Sequence, residues 1–536
     1  MAFFIRVFCT ALLFYISVSA VGATGSPAIT PATGRTDRLT DGGGKTLADA
    51  LGAIEAAHGI RFNLASDLGK DPLQGDASAS YSPKDIPRLL KGYNWLGTQD
   101  IQGRLVSVSV TGRNGNGEDP AINKPGLQPL LTYRKAPARV QNRYGHYPPG
   151  SVFPVDIPVK LLRGMALGEH LSLNLPDGQY DLRHDHAWDH PGGDKTWVAR
   201  AEGDPHSLYR ALITVGEGDV IDGQIRTPHG LYQLESDTEG QWLIDINAAG
   251  LQRGMFEENG QLPSITALPP AFLAASAGQA HGGGEHQTSS TGFDAETSKS
   301  AGQARIDVLL LYTDGLDNKG VKTRLNSLMA LANQALTDSR ANVVLNLAAT
   351  RRVNYPDAVS NHQALEKLTQ QKDEFRDVAK QREDAGADLV LLVRAFQPKS
   401  QGLSCGEAWV NGSGGLLLSP GLAYGVVNDG RADGYYCSNY TLAHEIGHLM
   451  GAAHDRKHAG APGRFTFSHG YGAPGRFGDI MSYYHPEVGV YANPELHECT
   501  GQPCGIPIGQ PQPADVVATF KRTAKEVAAF VKARSE

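Results

Sequence analysis

The stretch HEIGHLMGAAHD, which begins at His444, concentrates metal-binding and acid–base side chains. His444 and His448 are four residues apart, so on a helix both imidazoles project from one face toward a single ion. Glu445 lies beside them, within reach of a water at such an ion. His454 follows six residues after the second histidine. A third ligand there requires a sharp turn after the helix, and Gly451 stands where an unusual backbone conformation would make it.

Three neutral histidines and one carboxylate in this pattern predict a zinc site that hydrolyses peptide bonds. Three histidines leave zinc an open position for water, as catalytic zinc sites require. Zinc would make that water acidic and polarise the scissile carbonyl, while Glu445 would act as general base. The competing interpretation is a helix that carries unrelated histidines.

The same residues resemble a known clan of zinc peptidases. HEIGHLMGAAHD resembles the metzincin zinc signature, and GDIMSYY further along resembles the Met-turn that lies beneath the zinc. The resemblance implies a catalytic Glu445 and an apolar, packing role for Met481. It also implies three zinc ligands, namely His444, His448 and His454.

Three further residues are assigned from the details of these motifs. Asp455 directly after the third histidine resembles the reprolysin branch, and we expect it to accept hydrogen bonds from nearby main-chain groups. We expect both Asp455 and Gly451, the glycine at the turn, to have structural roles near the site. Tyr483 resembles the Met-turn tyrosine of astacins and serralysins, which implies a donor to the developing oxyanion. A core aromatic beside Met481 is the alternative for Tyr483.

The chain from 305 to 536 is most similar to the secreted bacterial reprolysin-like group that contains the peptidyl-Asp metalloendopeptidases. ADLVLLV, SCGEAWV, CSNYTLAHEIGH and FSHGY carry this resemblance, with a helix from about residue 513. It implies protein or peptide substrates cut before Asp, sometimes Glu. Such a preference needs a basic pocket near the zinc motif. The four candidate residues for this pocket are Arg456, Lys457, Arg464 and Arg476. The alternative is that these four side chains are ordinary basic residues of the surface.

The N-terminus predicts export. MAFFIRVFCTALLFYISVSAVGA reads as a signal peptide over 1–23, cleaved after Ala23 with Ala20 as the competing position. The mature protein would be secreted, either extracellular or periplasmic. An uncleaved N-terminal helix is the other interpretation.

Cysteine usage agrees with export, because four cysteines remain after the signal peptide. An even number in an exported chain predicts two disulfides, and four cysteines allow three pairings. We favour Cys499–Cys504, which closes the short loop CTGQPC, and therefore Cys405–Cys437. The second bond would tie the site helix to the 405–420 segment, which we expect to contain the edge strand that pairs with substrate.

Composition shifts divide the rest of this multidomain chain. A spacer over 24–44 precedes a small α+β module over 45–117, in which TLADALGAIEAAHG predicts a helix and RLVSVSVTG a strand. The module resembles the short N-terminal domain of secretins and TonB-dependent receptors, which implies an envelope partner, although a generic α+β fold fits as well. An all-β pro-region follows over 125–262, with a hairpin at LSLNLPDGQYDL.

The pro-region carries a histidine cluster, His184, His186 and His190, which we interpret as solvated turn residues rather than metal ligands. Residues 263–304 are rich in Gly, Ser, Ala and Thr and form a flexible linker with the expected activation cleavage. From 305 to 536, apolar strands alternate with helices, including one over 361–384. This predicts an α/β metzincin catalytic domain with a mixed sheet and an active-site helix.

This arrangement predicts a zymogen whose latency does not use a cysteine, because residues 24–304 contain none. The alternative function is a secreted binding or adhesion protein with a catalytically retired metzincin fold. The net charge of −7 gives no reason to expect a nucleic-acid partner. After the signal peptide no apolar run reaches the ~20 residues needed to span a bilayer. A calcium site is compatible with the chain, but no pattern in it identifies one.

Overall fold

A computed structural model describes most of the chain after its first segment. The described residues are 46–64, 68–73, 81–99, 105–113, 127–135, 144–148, 150–204, 208–255, 302–316, 320–497 and 499–532. The expected signal peptide and spacer lie outside these residues, as does nearly all of the expected linker.

The helices and strands are numbered in chain order. The helices are α1 Leu47–His58, α2 Ile86–Leu89, α3 Val159–Gly164, α4 Val321–Asp338, α5 Asn361–Thr369, α6 Val378–Ala385, α7 Pro398–Gln401, α8 Thr441–Leu449 and α9 Val516–Val527. The strands up to the linker are β1 Arg61–Leu64, β2 Tyr93–Gln99, β3 Leu105–Arg113, β4 Thr132–Tyr133, β5 Val152–Asp156, β6 His170–Leu175, β7 Gly178–Asp189, β8 Lys195–Ala201, β9 Arg210–Val215, β10 Ile221–Arg226, β11 Leu231–Asp237, β12 Gly240–Asp245 and β13 Gln252–Arg253. The strands after it are β14 Ala304–Thr313, β15 Val343–Val353, β16 Leu389–Ala395, β17 Gly406–Ala408, β18 Tyr424–Asp429, β19 Arg431–Ala432, β20 Tyr435–Tyr436, β21 Gly472–Ala473 and β22 Phe477–Gly478.

The first module is a helix on a three-stranded sheet of order β1-β3-β2. Helix α1 starts with a capping box in which the Thr46 side chain accepts from the Asp49 amide at 3.2 Å. It ends at Gly59, whose φ of +69° is the left-handed conformation that favours glycine. The apolar face of α1 packs on the strand β3, so the expected α+β pattern is present here.

The second module is a nine-stranded sheet of order β4-β5-β12-β11-β10-β9-β8-β7-β6. Its two edges meet at one segment, because β4 pairs with β5 while Leu130 donates to Ser172 of β6 at 2.8 Å. This segment closes the sheet into a barrel. The interior is filled by alternate apolar residues such as Leu171 and Leu173, as the hairpin pattern predicted.

Two of the three histidines of this module are not turn residues as expected, whereas His190 directly precedes the turn after β7. His184 and His186 lie within β7, and His184 is only 4% exposed. The His184 Nδ1 bonds to the Ala166 carbonyl at 2.9 Å, and the His190 ring bonds to the Thr196 hydroxyl at 2.7 Å. Separate partners therefore hold these rings, and they form no metal cluster within the described residues.

The C-terminal domain is built on a mixed five-stranded sheet of order β15-β14-β16-β18-β17. The first four strands are parallel and β17 is an antiparallel edge strand. Helices α4 and α8 pack together, and both contribute to the largest apolar core. The single helix expected over 361–384 is wrong: α5 ends at Thr369, and Gln371 and Asp373 have positive φ, so α6 starts as a separate helix.

The barrel packs against α4 through a mixed apolar and ionic contact. Val198 and Leu212 on the outer face of the barrel belong to the same core as α4. The ionic part of the contact is Arg324 of α4, which donates to Asp222 of the barrel at 3.0 Å and to Asp429 at 2.6 Å. Burial raises the pKa of Asp222 to about 6, although the positive charge of Arg324 acts to lower it.

Within the described residues, no helix is both long enough and apolar enough to cross a lipid bilayer.

We predict that Arg324→Ala lowers the free energy of unfolding by about 3–5 kcal/mol, because it leaves two buried carboxylates without their cation. The measurement is urea denaturation. The matched control is Arg305→Ala, which removes an ion pair to Asp307 in which Arg305 is 62% exposed, and which we expect to cost about 0–1 kcal/mol. Equal losses in the two variants would contradict the role assigned to Arg324.

Candidate metal centre

Helix α8 is buried along its whole length and carries the first two histidines. The helix ends at Leu449, and Gly451 follows with a φ of +96°. The amide of Ala452 turns back to the Gly447 carbonyl at 3.0 Å. A side chain at position 451 would be strained in this conformation, so the glycine lets the chain reverse and bring His454 back to the helix.

The three histidines converge on one point. Their Nε2 atoms are 3.0, 3.1 and 3.2 Å apart, and all three residues are fully buried. The Nδ1 of His444 lies 2.6 Å from the Ile480 carbonyl, and that of His448 lies 2.8 Å from the Ala452 carbonyl. A carbonyl only accepts, so these Nδ1 atoms carry the hydrogens and their Nε2 atoms present lone pairs.

Lone pairs this close repel each other unless a cation lies between them. Tetrahedral ligands about 2.0–2.1 Å from a zinc ion are about 3.3 Å apart, close to the separations of these nitrogens. The carbonyl bonds to Nδ1 also fix the ring orientations, as is usual for metal-bound histidine. The residues present therefore fit a single metal ion with three nitrogen ligands.

Glu445 is fully buried next to the histidines and lies against the edge strand β17. A Cβ atom at Gly406 would be 2.2 Å from the Glu445 Oε1 and 2.7 Å from its carboxyl carbon. Only glycine at this position of β17 leaves room for the carboxylate. The predicted base and the predicted substrate-binding strand are thus in direct contact.

Met481 packs beneath the helix with no exposed surface. A Cβ at Gly447 would be 2.6 Å from the Met481 sulfur, so the glycine of HEIGH is needed for this close approach. A Cβ at Gly470 would likewise be 2.7 Å from main-chain atoms of Met481. The thioether is in the place expected for an apolar support.

Asp455 connects the turn after the helix to the Met-turn. Its carboxylate accepts from the Tyr483 amide at 3.0 Å, the Ser482 hydroxyl at 3.1 Å and the His458 Nδ1 at 2.8 Å. The Tyr483 ring lies between two histidine rings, with centroids 4.7 Å from His454 and 5.2 Å from His458. Tyr483 therefore packs on the third histidine of the cluster.

Two titratable groups beside the centre are shifted by burial. Burial raises the pKa of Asp479 well above its usual range, although the Tyr471 amide donates to it at 3.0 Å. Burial lowers the pKa of His469, whose Nδ1 lies 2.9 Å from the His454 carbonyl. Both shifts favour neutral side chains around the three histidines.

The four basic residues considered for an acidic-substrate pocket contact separate parts of the domain. Arg456 donates to the Pro513 carbonyl at 2.7 Å, and Arg464 donates to the Gly415 carbonyl at 2.6 Å. Arg476 lies 3.1 Å from the amide oxygen of Gln502. The remaining residue, Lys457, is exposed and lies over the Tyr484 ring at 5.7 Å, in the Met-turn region.

Both disulfides have the favoured pairing. Cys405 and Cys437 are joined across a separation of 32 residues, and Cys499 and Cys504 across 5. The first bond links the run into β17 with the segment that enters α8.

Sequence reasoning missed four residues that shape the centre: Gly406, Gly447, His458 and His469. The two histidines have no paired spacing in the sequence, yet His458 donates to Asp455 and His469 bonds to the His454 carbonyl. Their only local signal is their position between the zinc motif and the Met-turn. Gly406 lies far from the zinc motif in sequence, and although it stands within SCGEAWV, nothing in that stretch indicates a contact with Glu445.

Two parts of the chain match known families. Residues 313–507 match the reprolysin-like model of the metallo-peptidase family M12B, and residues 140–249 match the BamI lipocalin-like domain. A reprolysin-like metallopeptidase domain and a lipocalin-like domain are therefore present. The predicted resemblance to reprolysin-like metallopeptidases is confirmed.

The similar curated proteins are bacterial enzymes named peptidyl-Asp metalloendopeptidase. That of Pseudomonas aeruginosa is 31% identical over 43% of this chain and 41% of its own length. That of Xanthomonas campestris is 24% identical over 63% of this chain and 76% of its own length. That of Stenotrophomonas maltophilia is 26% identical over 60% and 70%. The chain thus spans less than half of the Pseudomonas protein, and the names agree with the prediction of a metalloendopeptidase.

We predict that the purified protein holds about one equivalent of zinc and that His448→Ala loses it, because two histidines do not make a structural or catalytic zinc set. Metal analysis by mass spectrometry measures this. His362→Ala is the control, since His362 is 47% exposed on α5 and should leave the metal content unchanged. Full metal content in His448→Ala would contradict the site.

We further predict that Gly406→Ala keeps the metal but lowers peptide hydrolysis at least tenfold, because the new methyl group displaces the Glu445 carboxylate. Lys380→Ala on α6 is the control, since Lys380 is 75% exposed and lies within the expected processed enzyme. Unchanged kcat/KM in Gly406→Ala would show that the carboxylate position is not critical.

Proposed function

We propose that this chain is a secreted zinc endopeptidase, made as a zymogen, in which Glu445 is the general base. The observation that carries the proposal is the cluster of three buried Nε2 atoms within 3.2 Å of each other, next to a buried carboxylate. Such a cluster fits a single cation, and a carboxylate beside it fits the chemistry of hydrolysis. Nothing in the zinc motif is missing, which speaks against a retired binding protein.

Zinc is the metal we propose, since three neutral imidazoles at tetrahedral spacing with an open fourth position are its usual catalytic ligand set. When bound, zinc acidifies the attacking water and polarises the scissile carbonyl. Glu445 takes the proton from that water and delivers it to the leaving amine. Its burial against Gly406 supports this role, because the carboxylate is held at the strand along which substrate would lie.

β17 is the strand we propose for substrate binding. It is the antiparallel edge of the sheet, paired only to β18 among the described strands, and an edge strand is where an extended peptide can add to a sheet. The Cys405–Cys437 bond and the Asn428 amide, which donates to the Cys405 carbonyl at 2.6 Å, hold the start of this strand. A fixed edge reduces the entropy lost when substrate binds.

Tyr483 is the residue we propose as donor to the oxyanion. Its ring packs on His454 at 4.7 Å between centroids, which keeps it at the metal centre. The Asp455 contact to its main chain orients it further. A neutral donor held in this way stabilises developing charge without reorganisation.

The substrates we propose are proteins or peptides cut before Asp, sometimes Glu. The names of the similar bacterial enzymes support an Asp preference. Lys457 is an exposed basic side chain that lies over the Tyr484 ring, and it is the candidate we propose for this recognition.

Latency is proposed to come from the barrel rather than from a cysteine. The strand that follows the barrel, β13, pairs with β20 of the C-terminal domain, and the outer face of the barrel packs on α4. Cleavage in the linker over 263–304 would remove the covalent connection but leave these contacts. The N-terminal module and its envelope partner stay a hypothesis based on resemblance.

We predict that Glu445→Ala lowers kcat/KM for casein or an Asp-containing peptide by about 10²–10⁴-fold, the usual contribution of a general base. Metal content should not change. Glu366→Ala on α5 is the control and should keep full activity. The active wild-type band should begin near residue 300 when its N-terminus is sequenced, and full activity in Glu445→Ala would refute the mechanism.

A further inference from the structure

Residues 252–255, which we call the latch strand, insert between two segments of the C-terminal domain. The pairing is parallel on both sides. Four main-chain hydrogen bonds hold it: Gln252 to the Gly434 carbonyl at 2.9 Å, Gly254 to Tyr436 at 2.8 Å, Met255 to Leu403 at 2.8 Å, and Cys405 to Met255 at 2.6 Å.

The latch strand lies directly on the Cys405–Cys437 disulfide. A Cβ at Gly254 would be 2.6 Å from the Cys405 sulfur and 2.8 Å from the Leu403 carbonyl. This fit requires glycine, so the strand is built to enter this groove rather than to rest on its surface.

The groove leads to the catalytic carboxylate. Met255 is paired with Ser404, which precedes Gly406 by two residues, and Gly406 contacts Glu445. Arg253 precedes Met255 by two more residues. At a rise of about 3.3 Å per residue, Arg253 is roughly 13 Å along the strand direction from the point beside Glu445.

The Arg253 side chain fills a pocket with an acidic floor. Its Nη1 lies 3.0 Å from Oε1 of Glu487, and the two side chains are only 10% and 7% exposed. The Ser438 hydroxyl donates to the other carboxylate oxygen at 2.6 Å, and Arg226 of the barrel donates to the Glu487 carbonyl at 2.9 Å. Burial and the Arg253 charge lower the pKa of His485 to about 3, so this ring adds no positive charge.

We propose that Glu487 and Ser438 form a substrate subsite for an arginine or lysine side chain, within about four residues of the scissile bond, which Arg253 occupies until the barrel leaves. This inference rests on the proposed endopeptidase function. It concerns a different substrate position from the Asp preference.

The charge of the pocket carries the proposal. Both arginines that lie at Glu487 belong to the barrel and depart with it. Ser438 remains, but a hydroxyl stabilises a buried carboxylate less than a cation does. A basic substrate side chain restores the ion pair in the same groove, whereas an acidic one would repel the carboxylate.

The test is a set of peptides that share one cleavable Asp bond and carry Arg, Gln or Glu at each of the four positions on either side. The processed wild-type enzyme is compared with Glu487→Gln, and Glu366→Gln on the exposed face of α5 is the matched control. We expect Arg to be preferred over Gln by about tenfold at one position, and over Glu by more. Glu487→Gln should lose this preference, and Glu366→Gln should keep it.

Each outcome decides the proposal. Cleavage with no preference for a basic residue at any position would overturn it, as would a preference that survives in Glu487→Gln. If Glu487→Gln does not fold, the cleavage of the peptide series by the wild-type enzyme decides alone. A second measurement is inhibition of the wild-type enzyme by the peptide LQRGM, which has the sequence of residues 251–255. An inhibition constant about tenfold weaker for LQQGM, which lacks the arginine, supports the subsite. If no peptide is cut, the proposed function fails, which is distinct from failure of the subsite.

Discussion

Three buried imidazole rings whose Nε2 atoms face one point are the constraint on which this domain depends. Each ring must be held in its own orientation for the three nitrogens to converge. The Ile480 and Ala452 carbonyls fix two rings, Gly451 reverses the chain for the third, and the Met481 thioether fills the space below. The positions of α8 and the Met-turn are therefore set by the same few contacts that prepare the site for metal.

The parts of this centre that are local in sequence could be predicted, and the parts that arise from long-range packing could not. The spacing of His444 and His448 alone places them on one helix face, and Gly451 indicates the turn that follows the helix. Gly406 supports the Glu445 carboxylate from another strand, so only the folded sheet reveals it. The helix expected over 361–384 shows the local limit: its apolar spacing was helical, but positive φ at Gln371 and Asp373 divides it.

The same division holds for the barrel. Alternating residues such as Leu171 and Leu173 predicted strands and a hairpin, because one face of each strand is buried. Closure of the sheet by the segment before β5 could not be predicted, since it joins residues distant in the chain. The buried pair of Arg324 with Asp222 likewise unites two domains, and neither residue has a sequence signal that distinguishes it from an exposed ion pair.

The barrel is closed by its first segment and attached to the neighbouring domain by its last. Because the latch strand lies outside the nine-stranded sheet, withdrawing it breaks the bonds of a few residues and opens no ladder within the barrel. The latch strand can therefore detach without disturbing the hydrogen bonds of the barrel that precedes it. Withdrawing this one short strand would therefore uncover the groove at Cys405 while the barrel keeps both its own fold and its separate contact with α4.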